Sequence, residues 1–295
     1  MQKYSIHGID IGNATCVTSA GILFDSKITN VEPLNKCEIL KIDNSIFYLG
    51  EGNYDTTYRK IDKQNYINFL YGSLALSTNT VYNYIVLGLP LGQYKEDKAA
   101  LTNLVLANRE KTVFINGIEK PLVIEDVEVY PEGVTTLDDE WEGIVIDIGG
   151  RTTDCAMVVN YKDCRKILNP ISIPSGTINF QTDLIKRLNN EYGLDLKTTD
   201  ADRIIQSGLI LDGHKEKTNI IDEMKKDFIY NLKSNLQVEY SLRTNLISLT
   251  GGGAKTFYSE LREELGESIT LQENSIYANA NAFGDLGESI WQLNQ

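Results

Sequence analysis

The sequence predicts an α/β protein built as two similar halves flanking a cleft, and three observations lead there. A strand, a glycine turn and a returning strand occur twice, with Ile9-Asp10-Ile11-Gly12 repeated letter for letter as Ile146-Asp147-Ile148-Gly149. Short runs of β-branched residues alternate with amphipathic stretches, the pattern of layered strands and helices. At 295 residues the chain is long enough for two domains of roughly 100–200 residues each.

The elements follow in order. Residues 6–17 form the first strand-turn-strand hairpin. Two β-rich runs, Cys37–Ile42 and Ile46–Leu49, flank Asp43-Asn44-Ser45 and read as a second hairpin, with the polar residues 50–63 in a small subdomain beside it. Residues 64–78 carry Ile67, Leu70 and Leu74 at helical spacing, and 83–89 is a buried strand that ends at Pro90. Residues 93–108 predict an amphipathic helix with Leu101, Leu104 and Val105 as its stripe. Thr112–Ile115 and Leu122–Ile124 pair across Asn116-Gly117, and Val127–Tyr130 is a further strand that Pro131 closes. The central hairpin joins Gly143–Ile148 to Ala156–Val159. Ile171–Pro174 then leads into a helix over 176–190, broken by Gly193. A short helix, Thr198–Gln206, turns Ala201, Ile204 and Ile205 inward, and a long one over 215–240 carries Ile220, Met224, Phe228 and Leu232. Leu246–Thr250 is a strand, Gly251–Gly253 a turn, Lys255–Leu265 a helix, and 276–292 a last helix.

Composition narrows the function classes. The formal net charge of −13 argues against direct contact with DNA phosphates or an anionic membrane. No run approaches the roughly eighteen apolar residues of a membrane span. No basic-then-apolar leader opens the chain, so a cytoplasmic protein without membrane attachment is expected. Cys16, Cys37, Cys155 and Cys164 lack CxxC spacing and the only histidines are His7 and His214. A zinc site is therefore disfavoured, and reduced thiols are expected. His7 falls inside a strand and His214 at a charged helix start, which leaves no histidine for a nucleophilic triad.

The chemistry lies in the turns. In each repeated segment a carboxylate, Asp10 or Asp147, ends a buried strand, and glycines follow. Glycine lacks Cβ, so its backbone N–H groups can close around an anion. An Asp would repel a phosphate unless Mg lay between them, and Mg takes carboxylate oxygens while keeping several waters. Alone, each segment would be a β-turn whose Asp bonds its own backbone; two facing segments make a clamp for Mg-polyphosphate. Gly12, Asn13, Ala14 and Thr15 in the first, and Gly149, Gly150, Arg151 and Thr152 in the second, are the expected phosphate-binding residues. Asp10 and Asp147 are the expected metal ligands. Asp154, which opens the return strand, either joins them or is a solvated strand-start acid. Thr250-Gly251-Gly252-Gly253-Ala254 is a third glycine turn, entering a helix whose N-terminus suits a phosphate or ribose. It is neither a Walker loop nor the dinucleotide fingerprint. Glu132, after Tyr130-Pro131, either orients and deprotonates an attacking water or is an acid favoured in a first turn.

Together these motifs resemble the actin/DnaK/hexokinase ATPase superfamily over nearly the whole chain, and within it the ParM-type bacterial actins, filament proteins of plasmid segregation. Asp147–Asp154 is similar to that family's second phosphate motif, and Tyr130-Pro131-Glu132 to its Pro-Glu element. Thr199–Ile205 resembles the helix beside the nucleobase, Leu249–Ala254 the adenosine motif, and Tyr277–Gly284 the Ala-Asn-Ala stretch of the closing helix. Arg151 stands where ParM-like sequences often carry a small or hydroxyl residue. The chain is also short for that family, which implies a reduced subdomain or filament loop.

The resemblance implies an actin-like fold, with domain I at residues 1–140, domain II at 141–275, and a C-terminal helix, 276–295, returning to domain I. It implies ATP or GTP with Mg as cofactors and catalytic roles for Glu132, Asp147 and Asp10, with Glu132 activating water. Asp202 and Arg203 would lie beside the base. It further implies nucleotide hydrolysis coupled to polymerisation, self-association into a filament, and a DNA-binding adaptor of ParR type as partner. A small-molecule, sugar-type kinase of the same fold is the alternative, and it needs a catalytic Asp and a polar sugar pocket that no stretch plainly supplies. Membrane-bound relatives such as MreB or FtsA use a terminal amphipathic helix with basic residues. The Ile290-Trp291-Gln292-Leu293 end is short and has no Lys or Arg nearby.

Overall fold

The structure, a computed structural model, describes residues 4–55, 57–162 and 164–291. Gln292 and Leu293 of the C-terminal segment, and the end of the helix expected over 276–292, lie outside these residues. The first half holds strands β1 (Tyr4–Ile11), β2 (Thr15–Thr18), β3 (Leu23–Asp25), β4 (Lys27–Thr29), β5 (Glu38–Ile42) and β6 (Ser45–Tyr54). A single 3-10 turn at Lys60–Asp62 follows, then helix α1 (Tyr66–Ser77), β7 (Tyr82–Leu89), α2 (Leu91–Leu106), β8 (Glu110–Ile115) and β9 (Ile118–Pro131). The second half opens with β10 (Gly143–Ile148), β11 (Thr153–Tyr161), β12 (Cys164–Ile173), α3 (Thr177–Tyr192) and α4 (Ala201–Ser207). It continues with β13 (Ile210–Leu211), β14 (His214–Lys215), α5 (Ile220–Glu239), β15 (Ile247–Thr250), α6 (Ala254–Leu265), β16 (Ile269–Leu271) and α7 (Ala278–Ile290).

The repeat in the sequence is a repeat of topology. Half of the first sheet runs β3-β2-β1-β7-β9, and the second sheet runs β12-β11-β10-β15-β16. In both, the central strand starts two successive antiparallel pairings on one side and two successive parallel pairings on the other. Strands β8, β5, β6 and β4 extend only the first sheet. Strand β10 is buried on both faces, which is why it reads as an unbroken apolar run up to Asp147.

Each half has its own core. In the first, α1 lays Tyr66, Phe69, Leu70 and Leu74 against Ile9, Ile85 and Leu87. In the second, Phe257 stacks on Phe228 with ring centroids 4.2 Å apart and meets Phe180 edge-on at 5.1 Å. Helix α7 follows the second half in sequence but packs on the first sheet, where glycines let it approach closely. A Cβ on Gly8 of β1 would come within 2.1 Å of the Ala280 carbonyl oxygen, and one on Gly287 within 2.6 Å of Ile6.

Several expectations change. Val127–Tyr130 is not a separate strand, because β9 runs unbroken from Ile118 to Pro131. The β12 strand was not expected: Pro170 and exposed polar residues hide it, and an edge strand tolerates both. Helix α5 begins at Ile220 rather than 215, since His214 and Lys215 form the second strand of a small hairpin. The Asp212-Gly213 turn, with φ of 49° and 82°, is its cause and is a strong hairpin signal. His214 therefore lies in that hairpin and not at a helix start.

Candidate functional site

Both repeated hairpins bring a carboxylate to the mouth of the cleft between the halves. Asp10 is the penultimate residue of β1 and Asp147 that of β10. The turns beyond them are tight: Gly12 N–H donates to the Thr15 carbonyl at 2.9 Å, and Gly149 N–H to the Thr152 carbonyl at 2.9 Å. The two tips meet, since a Cβ on Gly150 would lie 2.8 Å from both Cβ and N of Ala14. The third glycine turn closes over the second hairpin, with Gly253 N–H donating to the Ile148 carbonyl at 2.8 Å. Gly251 has φ +91°, and a Cβ there would stand 2.2 Å from Asp147 Oδ1. The start of α3 docks behind the second tip, where Thr177 and Ile178 donate N–H groups to the carbonyls of Gly149 and Gly150.

These turns enclose a cavity of about 120 Å³. Asp10, Glu132 and Asp147 line it together with Gly12, Asn13, Ala14, Thr15, Gly149, Gly150, Thr152 and Gly251–Gly253. Arg151, Asp154, Asp202 and Arg203 do not. Asp202 and Arg203 are exposed on α4, the first accepting a hydrogen bond from Gln181 at 2.7 Å and the second 3.4 Å from Asp200. Asp154 pairs with Asp147 across the hairpin and is buried rather than solvated. Burial raises its pKa, against the opposing influence of Ser172 and Thr152.

Charge in the cavity is concentrated. The side chain of Lys60 is buried and its ammonium contacts Glu132, with Asp10 Oδ1 at 3.1 Å. Burial alone would strip its proton, but Asp10 and Glu132 hold it firmly charged. Burial also pushes the Glu132 carboxyl up, and it pushes Asp147 up to about 7. Asn279, in the first turn of α7, works against that second shift: its amide donates to Asp147 Oδ2 at 3.0 Å and lies 3.4 Å from Asp10 Oδ2.

The sequence reading missed Lys60, Thr177, Ser275, Ile276 and Asn279. Lys60 belongs to a charged segment with Arg59, Asp62 and Lys63 that looks like a solvated surface, so nothing in the sequence marks it. Asn279 did carry a signal, as one of two amides, with Asn281, set among alanines in the Tyr277–Gly284 stretch. No group of three or more His, Cys, Asp or Glu side chains among the described residues forms a ready-made metal cage. The donors that do face the cavity are carboxylate oxygens, with the buried Asn13 Oδ1 lacking a hydrogen-bond partner among the described residues. Hard oxygen donors of this kind suit a Mg ion that keeps its waters and shares phosphate oxygens.

A sheet topology repeated in two halves, with an Asp-bearing glycine hairpin from each closing on one cavity, defines the actin-like class of fold. The family model for the N-terminal domain of actin-like proteins matches residues 8–134, and that for the C-terminal domain of archaeal MreB-like actin homologues matches 145–263. The chain has the actin-like fold, its two halves each similar to a domain of actin homologues. It is similar to the subunit of a 15-stranded ParM filament from Clostridium botulinum, with a TM-score of 0.80 at 20% identity, covering 98% of this chain and 100% of that one. It is also similar to an archaeal actin homologue in complex with ADP, at TM-score 0.81 and 18% identity, covering 97% and 99%. The apo pSK41 ParM protein matches at TM-score 0.70 and 18% identity, covering 99% of both chains. The reduced subdomain expected from the chain's length is not found, because these relatives are covered almost end to end. No curated protein matches by sequence.

Proposed function

We propose that this protein is a nucleotide-hydrolysing, filament-forming actin that binds ATP or GTP with Mg and drives plasmid DNA segregation through an adaptor. One observation carries the nucleotide half of that reading: Asp10, Glu132 and Asp147 converge, from both halves of the chain, on a cavity walled by three glycine turns. Asp10 and Asp147 would hold Mg through its waters, with Asn13 Oδ1 accepting from one of them. The metal supplies charge that offsets the phosphates. Backbone N–H groups of the two hairpins grip the phosphate oxygens, and Gly251–Gly253 with Ile276 pack the nucleoside. Glu132 orients and deprotonates the attacking water, and Lys60 steadies Glu132 and Asp10 between turnovers. Asp154, buried behind Asp147, acts on the metal only through its neighbour. Arg151, Asp202 and Arg203 reach phosphate or base as the halves adjust around the ligand.

Support for assembly comes from the likeness to the Clostridium botulinum filament subunit. The net charge of −13 favours a basic, ParR-type adaptor over direct DNA contact. No helix among the described residues is long and apolar enough to cross a membrane, and the reading places the protein in the cytoplasm. We assign domain I to 1–140 with the returning C-terminal helix and domain II to 141–275, the change of sheet between β9 and β10 supporting the boundary.

The test is phosphate release and sedimentation with Mg-ATP and Mg-GTP across a protein dilution series. Turnover per molecule should rise above a critical concentration, with the protein pelleting over the same range. Flat specific activity, no pellet, and stimulation by a sugar acceptor would replace the filament by a kinase.

A further inference from the structure

We infer that Asn279 is a positioning residue that sets the spacing of Asp10 and Asp147 and thereby links Mg-nucleotide loading to closure of the two halves. The inference rests on the nucleotide-binding function proposed above and deepens it.

The Asn279 amide is held at both its oxygen and its nitrogen. Its Oδ1 accepts the Gly133 N–H at 2.9 Å, which fixes the flip of the amide and leaves Nδ2 facing the two carboxylates, Asp147 at 3.0 Å and Asp10 at 3.4 Å. An Asn has two Nδ2 protons, one for each. The side chain is 7% exposed, so these bonds form away from bulk water, where hydrogen bonds to charged acceptors are strongest.

The three partners come from three mechanically distinct places. Asp10 ends β1 of the first sheet, Asp147 ends β10 of the second, and Gly133 lies in the segment that carries the chain between them. Asn279 itself follows the only other such crossing among the described residues, from β16 back to the first sheet. It cannot drift with the second half, because α7 is pressed onto β1: a Cβ on Gly8 would strike Ala280 O at 2.1 Å and Gly284 N at 2.3 Å. Gly133 sits with φ +71° and would place a Cβ 3.1 Å from Asp147 Cβ, so the first crossing is packed against the same carboxylate. One amide, fixed to the first half, therefore reaches across both hinges to the metal-facing acid of the second.

A purely structural amide would have no need of this arrangement. Two carboxylates drawn together repel, and a donor held between their Oδ2 atoms keeps them at one separation. Asp10 Oδ1 has Lys60 as its partner, so removing Nδ2 frees chiefly Asp147 and the gap between the halves. Groups that orient metal-binding carboxylates from behind commonly govern metal affinity by about 10- to 100-fold.

The experiment compares wild type, Asn279→Ala and Asn279→Ser by titration with a fluorescent ADP analogue, once in EDTA and once with Mg. Melting temperature in EDTA without nucleotide is recorded for each. Wild type should bind more tightly with Mg. In Asn279→Ala that strengthening should shrink at least about tenfold, by more than any change of affinity in EDTA. Asn279→Ser, with one donor, should fall between, and it carries the same readout if the alanine variant does not fold. An unchanged Mg-dependent gain in the variants would overturn the inference, as would an equal loss with and without Mg that follows the fall in melting temperature. A wild-type protein that binds no better with Mg would remove the functional reading itself, and this inference with it.

Discussion

Glu132, proposed above as the base for water, lines the cavity with its carboxylate held by Lys60. Because Asp10 remains to balance Lys60, Glu132→Ala should fold. It should bind nucleotide and assemble, but release phosphate roughly 10²-fold more slowly; unchanged phosphate release would return Glu132 to a structural role. A second residue, far from the phosphates, sets a pH limit. His7 is buried with Nε2 2.9 Å from Ser5 Oγ, and burial lowers its pKa from 6.5 to about 4. The folded ring stays neutral in that window while the unfolded chain takes up a proton, so stability is intact above 6.5 and falls as pH drops toward 4. The full span is worth on the order of 3 kcal/mol. Urea midpoints measured from pH 8 to 4.5 should decline less steeply in His7→Asn than in wild type. At this scale the sequence was unevenly legible. Asp10 and Asp147 announced themselves by recurring in one motif, whereas Lys60 is defined by burial under a turn that only the tertiary fold creates.

Helix α7 shows how an element can be held by what its neighbours lack. Its docking depends on glycines on both surfaces, and the two contacts differ in what a methyl would meet. On Gly8 it would strike backbone, Ala280 O and Gly284 N; on Gly284 it would meet the Ser19 side chain, with Cβ at 2.8 Å and Oγ at 3.0 Å. Ser19 can move, although its Oγ accepts the Gly8 N–H at 3.0 Å. Gly284→Ala should thus cost about 1–3 kcal/mol, the usual size of overpacking, and Gly8→Ala clearly more. Denaturant unfolding of both variants checks the order, and a reversed ranking would contradict the close docking of α7. Elements with a strong periodic pattern were readable in advance: β1, β7, α2, α3 and α6 fall within a few residues of expectation. The strands that escaped, β3, β4, β12, β13, β14 and β16, are short or lie at or near sheet edges, where one-sided pairing removes the apolar pattern that a reader relies on.

For the molecule as a whole, the repeated topology was foreshadowed by a single tetrapeptide, which says nothing of the four extra strands of the first sheet; β5, β6 and β8 were legible only from their own hairpin signals, and β4 was not. The charge of −13 also acts at this scale. Like-charged subunits repel over about 10 Å at 0.1 M salt and further at lower ionic strength. Pelleting with Mg-nucleotide should therefore rise as salt is added from very low concentration, while a DNA fragment stays unshifted by the protein alone; a direct gel shift would contradict the need for an adaptor. Finally, Ala14 and Gly150 already touch across the cleft, and the space behind them, about 120 Å³, is below the roughly 300 Å³ of even small ligand sites. On the function proposed, the jaws would have to part before a nucleotide entered or left. Loading would then run at the pace of a hinge rather than of diffusion, and a subunit clasped by neighbours on either side would keep whatever nucleotide it carried in, so that age along such a polymer would be written in its unexchanged cargo.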